Sequence, residues 1–225
     1  MSSRSAPRSS ARLIVMAKYP EPGRVKTRLA AALGAERACA VYRAFILDLA
    51  DRLAALPYEV IWSYDPAPAP FAALVPQARC VPQVGGDLGA RMEHAVAAAF
   101  AEHAAPVVVL GADVPHVPVS CIEEAAAVAP GRVVLGPAED GGYYLIALAR
   151  PAPELFAGVP WGGADVLEAT RARAERLGLA THLLASTFDV DESSDLARLR
   201  VLLDGGRVVL PRTAALLASD PSGPP

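Results

Sequence analysis

Val107-Val-Val-Leu110 is an unbroken apolar run that ends in Gly111-Ala-Asp113, and it limits the possible folds more than any other stretch of the chain. A strand without polar alternation needs cover on both faces, the pattern of a parallel sheet between two helical layers. Leu13-Ile-Val-Met-Ala17 repeats it near the N-terminus. Further strand-like segments fall at 58–64, 79–83, 132–136 and 143–148, with a late strand or strand end at 182–191. Helical patterns lie between them. A long one reaches Leu56 and lines Val41, Phe45, Leu49 and Leu53 on one face; others cover about 88–104, 118–129 and 164–177. A last helix starts near Ser193-Ser194, with Asp195 in its first turn. Strands that alternate with helices predict an α/β fold, a mainly parallel (mixed) sheet with helices on both faces.

A chain of 225 residues suits one large domain. We expect it over residues 12–212, with a Ser-, Arg- and Pro-rich disordered tail over 1–11 and a C-terminal tail over 213–225. No apolar run is long enough for a membrane span. Cys39, Cys80 and Cys121 are odd in number and lack pair spacing, so reduced thiols and a cytoplasmic location are expected rather than a disulfide framework or a zinc site. A net charge of -3 and only 6% aromatic residues exclude a broad basic surface for nucleic acid.

In open α/β sheets ligands gather beyond the carboxyl ends of the strands, so the residues that follow each apolar run carry the functional information. After Ala17 comes Lys18-Tyr-Pro-Glu-Pro-Gly23-Arg24-Val-Lys26-Thr-Arg28, four cations against the single acid Glu21. Two prolines stiffen this turn, Gly23 lets it reverse, and a helix follows, an arrangement suited to a polyphosphate. Gly85-Gly86-Asp87-Leu-Gly-Ala-Arg91 allows close backbone approach and presents Arg91 one turn into a helix. Asp113 ends the Val107–Leu110 run, where a carboxylate needs a cation, a metal or backbone donors. Magnesium ligation and helix capping both fit it. Glu139-Asp140-Gly141-Gly142 and Asp189-Val-Asp191 add acids near strand ends, and residues 189 and 191 of an extended segment point the same way. Either could complete a metal site with Asp113, or cap a helix. His116 is expected at the surface. No G-x-x-x-x-G-K-[ST], G-x-G-x-x-G, G-x-S-x-G or H-E-x-x-H motif is present.

In this order, Ala17-Lys-Tyr-Pro-Glu-Pro-Gly-Arg-Val-Lys-Thr-Arg-Leu, Gly-Gly-Asp-Leu-Gly-Ala-Arg-Met, Gly-Ala-Asp-Val-Pro, Asp-Gly-Gly-Tyr-Tyr-Leu-Ile and Asp-Val-Asp make the chain resemble the small GT-A-type glycosyltransferase family associated with arsenosugar biosynthesis. That family is similar in turn to the guanylyltransferases for molybdenum cofactor and 2-phospholactate. The resemblance runs from about residue 12 to 204 and implies a nucleotide-diphospho-sugar transferase fold of GT-A, Rossmann-like type. It also implies a nucleotide or nucleotide-sugar donor, a small-molecule acceptor and a divalent metal, Mg²⁺ or Mn²⁺. The chain has Val114 where members often carry Cys, Gly162-Gly163 where they carry Ser-Thr after the tryptophan, and Asp191-Glu-Ser-Ser-Asp195 for Asp-Thr-Pro-Glu-Asp.

The expected activity is metal-dependent transfer from a nucleotide donor, as a glycosyltransferase or a pyrophosphate-releasing nucleotidyltransferase, with a non-catalytic nucleotide-binding protein as the remaining reading. Lys26 and Arg28 are the expected catalytic cations. Ala17, Lys18, Gly23, Arg24, Gly85, Gly86, Asp87 and Arg91 are expected to bind the nucleotide, and Asp113, Asp189 and Asp191 the metal. Asp140, Gly141, Gly142 and Trp161 are expected on the acceptor side. The residues leave base preference, acceptor and oligomeric state open.

Overall fold

The computed structural model describes residues 11–219; most of the expected N-terminal tail and the last residues of the expected C-terminal one lie outside them. Seven strands, β1 (Arg12–Lys18), β2 (Glu59–Asp65), β3 (Arg79–Pro82), β4 (Val107–Gly111), β5 (Arg132–Pro137), β6 (Tyr143–Leu148) and β7 (Ala180–Leu183), form one sheet in the order β3-β2-β1-β4-β6-β5-β7. All pairings are parallel except those of β6, which runs antiparallel to both β4 and β5. The helices are α1 (Thr27–Leu33), α2 (Ala35–Ala54), α3 (Leu88–Glu102), α4 (Val119–Ala126), α5 (Val166–Arg176), α6 (Ser193–Asp204) and α7 (Pro211–Ala218).

The unbroken apolar runs explain the two layers. In β1, Leu13, Val15 and Ala17 enter one core with Phe45, Ile46, Leu49 and Leu53 of α2, while Ile14 enters the other with Met92 and Val96 of α3. In β4, Val108 and Leu110 face the first core and Val107 and Val109 the second. Each strand therefore buries both faces, as its sequence requires.

Three expectations need correction. The long first helix is two helices, because Gly34 sits at φ 81 and ψ 157, a conformation that a side chain strongly disfavours. The late strand is Ala180–Leu183, two residues earlier than expected, and the stretch after it keeps only an isolated bridge between Thr187 and Ala138. The domain does not end at residue 212: α7 follows Pro211, buries Thr213 and Leu217, and packs on α2. What holds it is Asp48 of α2, which is 1% exposed and lies 164 residues or more away in the chain. Its carboxylate accepts from the Arg212 amide at 3.0 Å, the Thr213 amide at 2.8 Å and Thr213 Oγ1 at 2.7 Å. These satisfy orphan amides at a helix start, so a buried acid here acts as a long-range cap.

Asp48→Ala leaves those buried donors unpaired. It should lower unfolding free energy by about 3 kcal/mol, read from urea titration. A loss below about 0.5 kcal/mol would show that α7 is held by apolar contacts alone.

Candidate functional site at the carboxyl ends of β1 and β4

The route from β1 to β2 passes through α1 and α2 on one face, and the route from β3 to β4 passes through α3 on the other. From β1 the chain runs on to β2 towards one edge of the sheet and from β4 to β5 towards the other, and where strand order reverses in this way a crevice opens beyond the carboxyl ends. The loops after β1 and β4 meet there, joined by the β5–β6 turn and the segment between β7 and α6.

Lys26 is the centre of this crevice. It precedes α1 in a left-handed backbone conformation, φ 48 and ψ 46, the one positive φ of a non-glycine residue among the described residues. Its side chain is 3% exposed, and the ammonium pairs with Asp113 Oδ1 and, at 2.8 Å, with Asp191 Oδ1. The ring of Tyr42 lies beneath, 5.5 Å from Nζ to its centroid. Burial works against the charged amine, but the two carboxylates outweigh it and push its pKa up. The Tyr42 hydroxyl in turn accepts the Lys18 amide at 3.0 Å, which ties α2 to the end of β1.

The acids converge through backbone links. Val190, fully buried, donates its amide to the Asp113 carbonyl at 3.0 Å, and Asp189 and Asp191 on either side of it stay half-buried. The Glu139 amide donates to the Thr187 carbonyl at 3.0 Å and the Thr187 amide to the Pro137 carbonyl at 3.1 Å, which joins the same segment to the β5–β6 turn. Arg198 of α6 braces that junction, forked on Glu139 at 2.6 and 2.9 Å and stacked 3.8 Å from the Phe188 ring centroid. Burial, then the charges of Asp113, Asp140 and Asp191, push the Asp189 carboxyl up to about 7. Four carboxylates thus share one neighbourhood with a single buried ammonium. Their surplus negative charge and all-oxygen donor set fit a hard divalent ion. Among the described residues, no three His, Cys, Asp or Glu side chains already form a metal cage.

The remaining expected residues divide between two walls. On one, Ala17 is buried at the end of β1, Lys18 is exposed beside it, and Gly23 lies in the open turn. Arg24 pairs with Glu21 at 3.3 Å and Arg28 with Glu192 at 3.6 Å, both largely exposed. Arg91 meets Asp65 at 3.0 Å and Gln83 at 3.2 Å, and Gln83 bridges the carbonyls of Ala17 and Ser63. Gly85 packs tightly on the Ala90 backbone, Gly86 is open, and Asp87 caps α3 by accepting the Ala90 amide at 2.8 Å.

The other wall is built from backbone and aromatic rings. Asp140 accepts the Gly142 amide at 2.9 Å, and Gly141, at φ 91, lies so near Ala164 that a Cβ would overlap its carbonyl oxygen. Trp161 stands edge-on to Tyr143, 6.1 Å between centroids, and its indole nitrogen packs against Gly89 of α3. That nitrogen is buried without a hydrogen-bond partner. Sequence reasoning missed Tyr42, Asp65 and Arg198. Each pairs with a residue far along the chain, and local patterns carry no such signal.

Residues 46–163, from within α2 to the Trp161 loop, match the DUF2064 family, described as an uncharacterized protein conserved in bacteria. The chain belongs to the DUF2064 family. It is 36% identical to a Desulfovibrio desulfuricans G20 protein provisionally described as a nucleotide-diphospho-sugar transferase, with a TM-score of 0.85 over 93% of this chain and 94% of that one. The fold also matches a nucleotidyl transferase from Methanothermobacter thermautotroptrophicus, at 16% identity and TM-score 0.56 over 87% and 99% of the two chains. It matches Rv0371C from Mycobacterium tuberculosis H37Rv, solved with manganese, at 17% identity and TM-score 0.52 over 85% and 98%. No protein of curated function matches the sequence. The single-domain α/β fold of this DUF2064 chain is that of nucleotide-sugar and nucleotidyl transferases.

His116 corrects another expectation. It is not at the surface of the DUF2064 chain but 7% exposed, with Nε2 3.0 Å from Thr187 Oγ1, its ring on Phe188, and Nδ1 buried without a partner. Val114 and Val117, fully buried around it, and two bonds from Arg52 to the Pro115 and Val117 carbonyls draw the loop inward. Burial, with help from Arg52 and Arg198, pushes the imidazole pKa down to about 4. An unfolded chain protonates its histidines near pH 6.5, so between about 6.5 and 4 the unfolded state holds more protons. Stability must therefore fall as pH drops through that window. Urea titrations at pH 7.5 and 4.5 should show His116→Gln losing about 2 to 3 kcal/mol less than the unsubstituted protein. Equal losses would refute the neutral buried imidazole.

Proposed function

We propose that this DUF2064 protein is a metal-dependent glycosyltransferase that uses a nucleotide sugar. The observation that carries this reading is the meeting of Lys26 with Asp113 and Asp191, flanked by Asp189 and Asp140, at the crevice between β1 and β4. Opposite charges gathered where open α/β sheets bind ligands suit a phosphate group with its counter-ion. Similarity to the D. desulfuricans protein and the motif resemblance to arsenosugar-associated glycosyltransferases support sugar as the transferred group.

In this reading Asp113 and Asp191 would hold Mg²⁺ or Mn²⁺, with Asp189 beside them; the relative solved with manganese is consistent with either ion. When bound, the ion supplies positive charge against the donor's phosphate oxygens. Lys26 and Arg28 stabilise charge that grows on the leaving phosphate, and Lys18 and Arg24 draw the donor in from the exposed side of the same turn. Arg91, Asp87, Gly85 and Gly86 line the nucleotide, with Gln83 holding the ends of β1 and β2 together beneath it. Trp161 and the Asp140-Gly141-Gly142 turn form the acceptor side. Catalysis is then mostly positioning and electrostatics.

Thermal-shift titration of nucleoside triphosphates and nucleotide sugars, with and without Mg²⁺ or Mn²⁺, tests the reading. One nucleotide sugar should raise Tm only with metal, and turnover should release a nucleoside diphosphate. Pyrophosphate release from a triphosphate would instead establish nucleotidyl transfer. Asp113→Asn should abolish the metal-dependent shift and lower turnover about 100-fold or more. Stabilisation by no nucleotide under either condition would overturn the transferase assignment.

A further inference from the structure

We propose that the Lys26 ammonium occupies the seat a divalent cation takes between Asp113 and Asp191, so that metal binds the free protein poorly and enters together with the donor's phosphates. The inference rests on the metal-dependent reading above and concerns the order of binding, which that reading leaves open.

Both ion pairs use the Oδ1 atoms of the two acids, and those atoms converge on one nitrogen. A magnesium ion would lie about 2.0–2.1 Å from each oxygen it binds, against 2.8 Å for Lys26 Nζ and Asp191 Oδ1. An ion bonded to both Oδ1 atoms would therefore compete for the oxygens that hold the ammonium and lie against its positive charge. The exposure pattern agrees. The lysine side chain is 3% exposed, while those of Asp113 and Asp191 are 46% and 43% exposed. The cation is thus the inner member of the cluster, and the acids are open to solvent on their outer side.

The ammonium cannot leave without another acceptor. A buried amine that loses both carboxylates keeps its desolvation cost and loses its compensation. The phosphate oxygens of a donor, arriving over Lys18 and Arg28, supply the missing acceptor. Lys26 then turns from the acids to the phosphate, and the acids turn to the metal. The backbone helps to fix where this exchange happens. Lys26 sits in the left-handed region directly before α1, so its Cα cannot retreat without disturbing the helix start, and only the flexible stem moves. By linkage, phosphate strengthens metal binding by the factor with which metal strengthens phosphate binding.

Mn²⁺ binding to the nucleotide-free protein, followed by loss of the free-ion EPR signal, tests the competition in three proteins: unsubstituted, Lys26→Met and Arg24→Met. Arg24→Met removes one cation from the same turn without emptying the seat. Lys26→Met should bind Mn²⁺ about tenfold or more tightly than the unsubstituted protein, the size of removing an adjacent positive charge, and clearly more tightly than Arg24→Met. Binding no tighter than in Arg24→Met overturns the proposal, since the metal would then use the outer oxygens with Lys26 in place. No Mn²⁺ binding to any of the three, with or without a panel of nucleotides, overturns both this inference and the metal-dependent function; unchanged binding overturns the inference alone. If Lys26→Met does not fold, ¹³Cε NMR of lysine in the unsubstituted protein decides. The resonance shifted by the Tyr42 ring should move on addition of Mg²⁺ with inorganic pyrophosphate and stay in place with Mg²⁺ at the same concentration alone. Movement with Mg²⁺ alone to the same end point refutes joint entry.

Discussion

The contact between the Lys26 ammonium and the carboxylates of Asp113 and Asp191 joins three parts of the chain that have no local reason to meet. It ties the loop after β1, the loop after β4 and the segment that leads into α6. Removing a buried member of such a cluster leaves an uncompensated charge, whereas an exposed pair contributes little, so this triad weighs more than the surface pairs of Arg24 or Arg28. The cluster also carries net negative charge, to which Asp189 and Asp140 add; burial first, and then the neighbouring carboxylates, raise the Asp189 pKa. A site that is overcharged in its free state gains most from a ligand that brings cations with it.

Positioning follows from the scaffold behind the cluster. Buried Val114, Val117 and Val190 anchor the two acidic segments, and the Val190 amide on the Asp113 carbonyl sets their spacing. Arg52 secures the Pro115 and Val117 carbonyls from α2, the helix that also supplies Tyr42 below Lys26 and Asp48 above α7. One helix thus sets the floor of the charged site and, on its other side, holds the C-terminal helix. The arrangement is long-range throughout, which ties the site's geometry to the integrity of the whole domain.

Much of this was legible in the sequence because period and turn chemistry are local. The apolar runs at 13–17 and 107–110 disclosed a sheet covered on both faces, and the Pro-Pro-Gly turn disclosed where the first cations would sit. Asp113 was recognised as an acid just past a strand end, whereas Asp189 and Asp191, expected near one as well, lie in the connection between β7 and α6. What was lost depends on distance along the chain. A capping acid 164 residues from its helix leaves no local signature, so α7 was taken for a tail. His116 looked like a surface residue because it lies in the proline-flanked loop after β4, while Thr187 and Phe188, which help to bury it, come from another element. The overlong late strand had a different cause. Past Leu183 the segment still donates to β5, Leu184 to the Leu135 carbonyl and Thr187 to the Pro137 carbonyl, but it keeps one isolated bridge instead of a continuous ladder, and alternation of side chains does not distinguish the two.

The two walls of the crevice differ in what fixes them. The wall of Lys18, Lys26, Arg28 and Arg91 is held by charge, which falls off slowly with distance and tolerates small shifts of its members. The wall of Gly89, Gly141, Tyr143 and Trp161 is held by close packing, where one added methyl group would collide with backbone or indole atoms. A charged wall suits a group common to many ligands, such as a diphosphate, and a packed wall suits one shape. Gly162-Gly163 leaves the backbone after Trp161 without side chains, and a Cβ at Gly162 would meet open space.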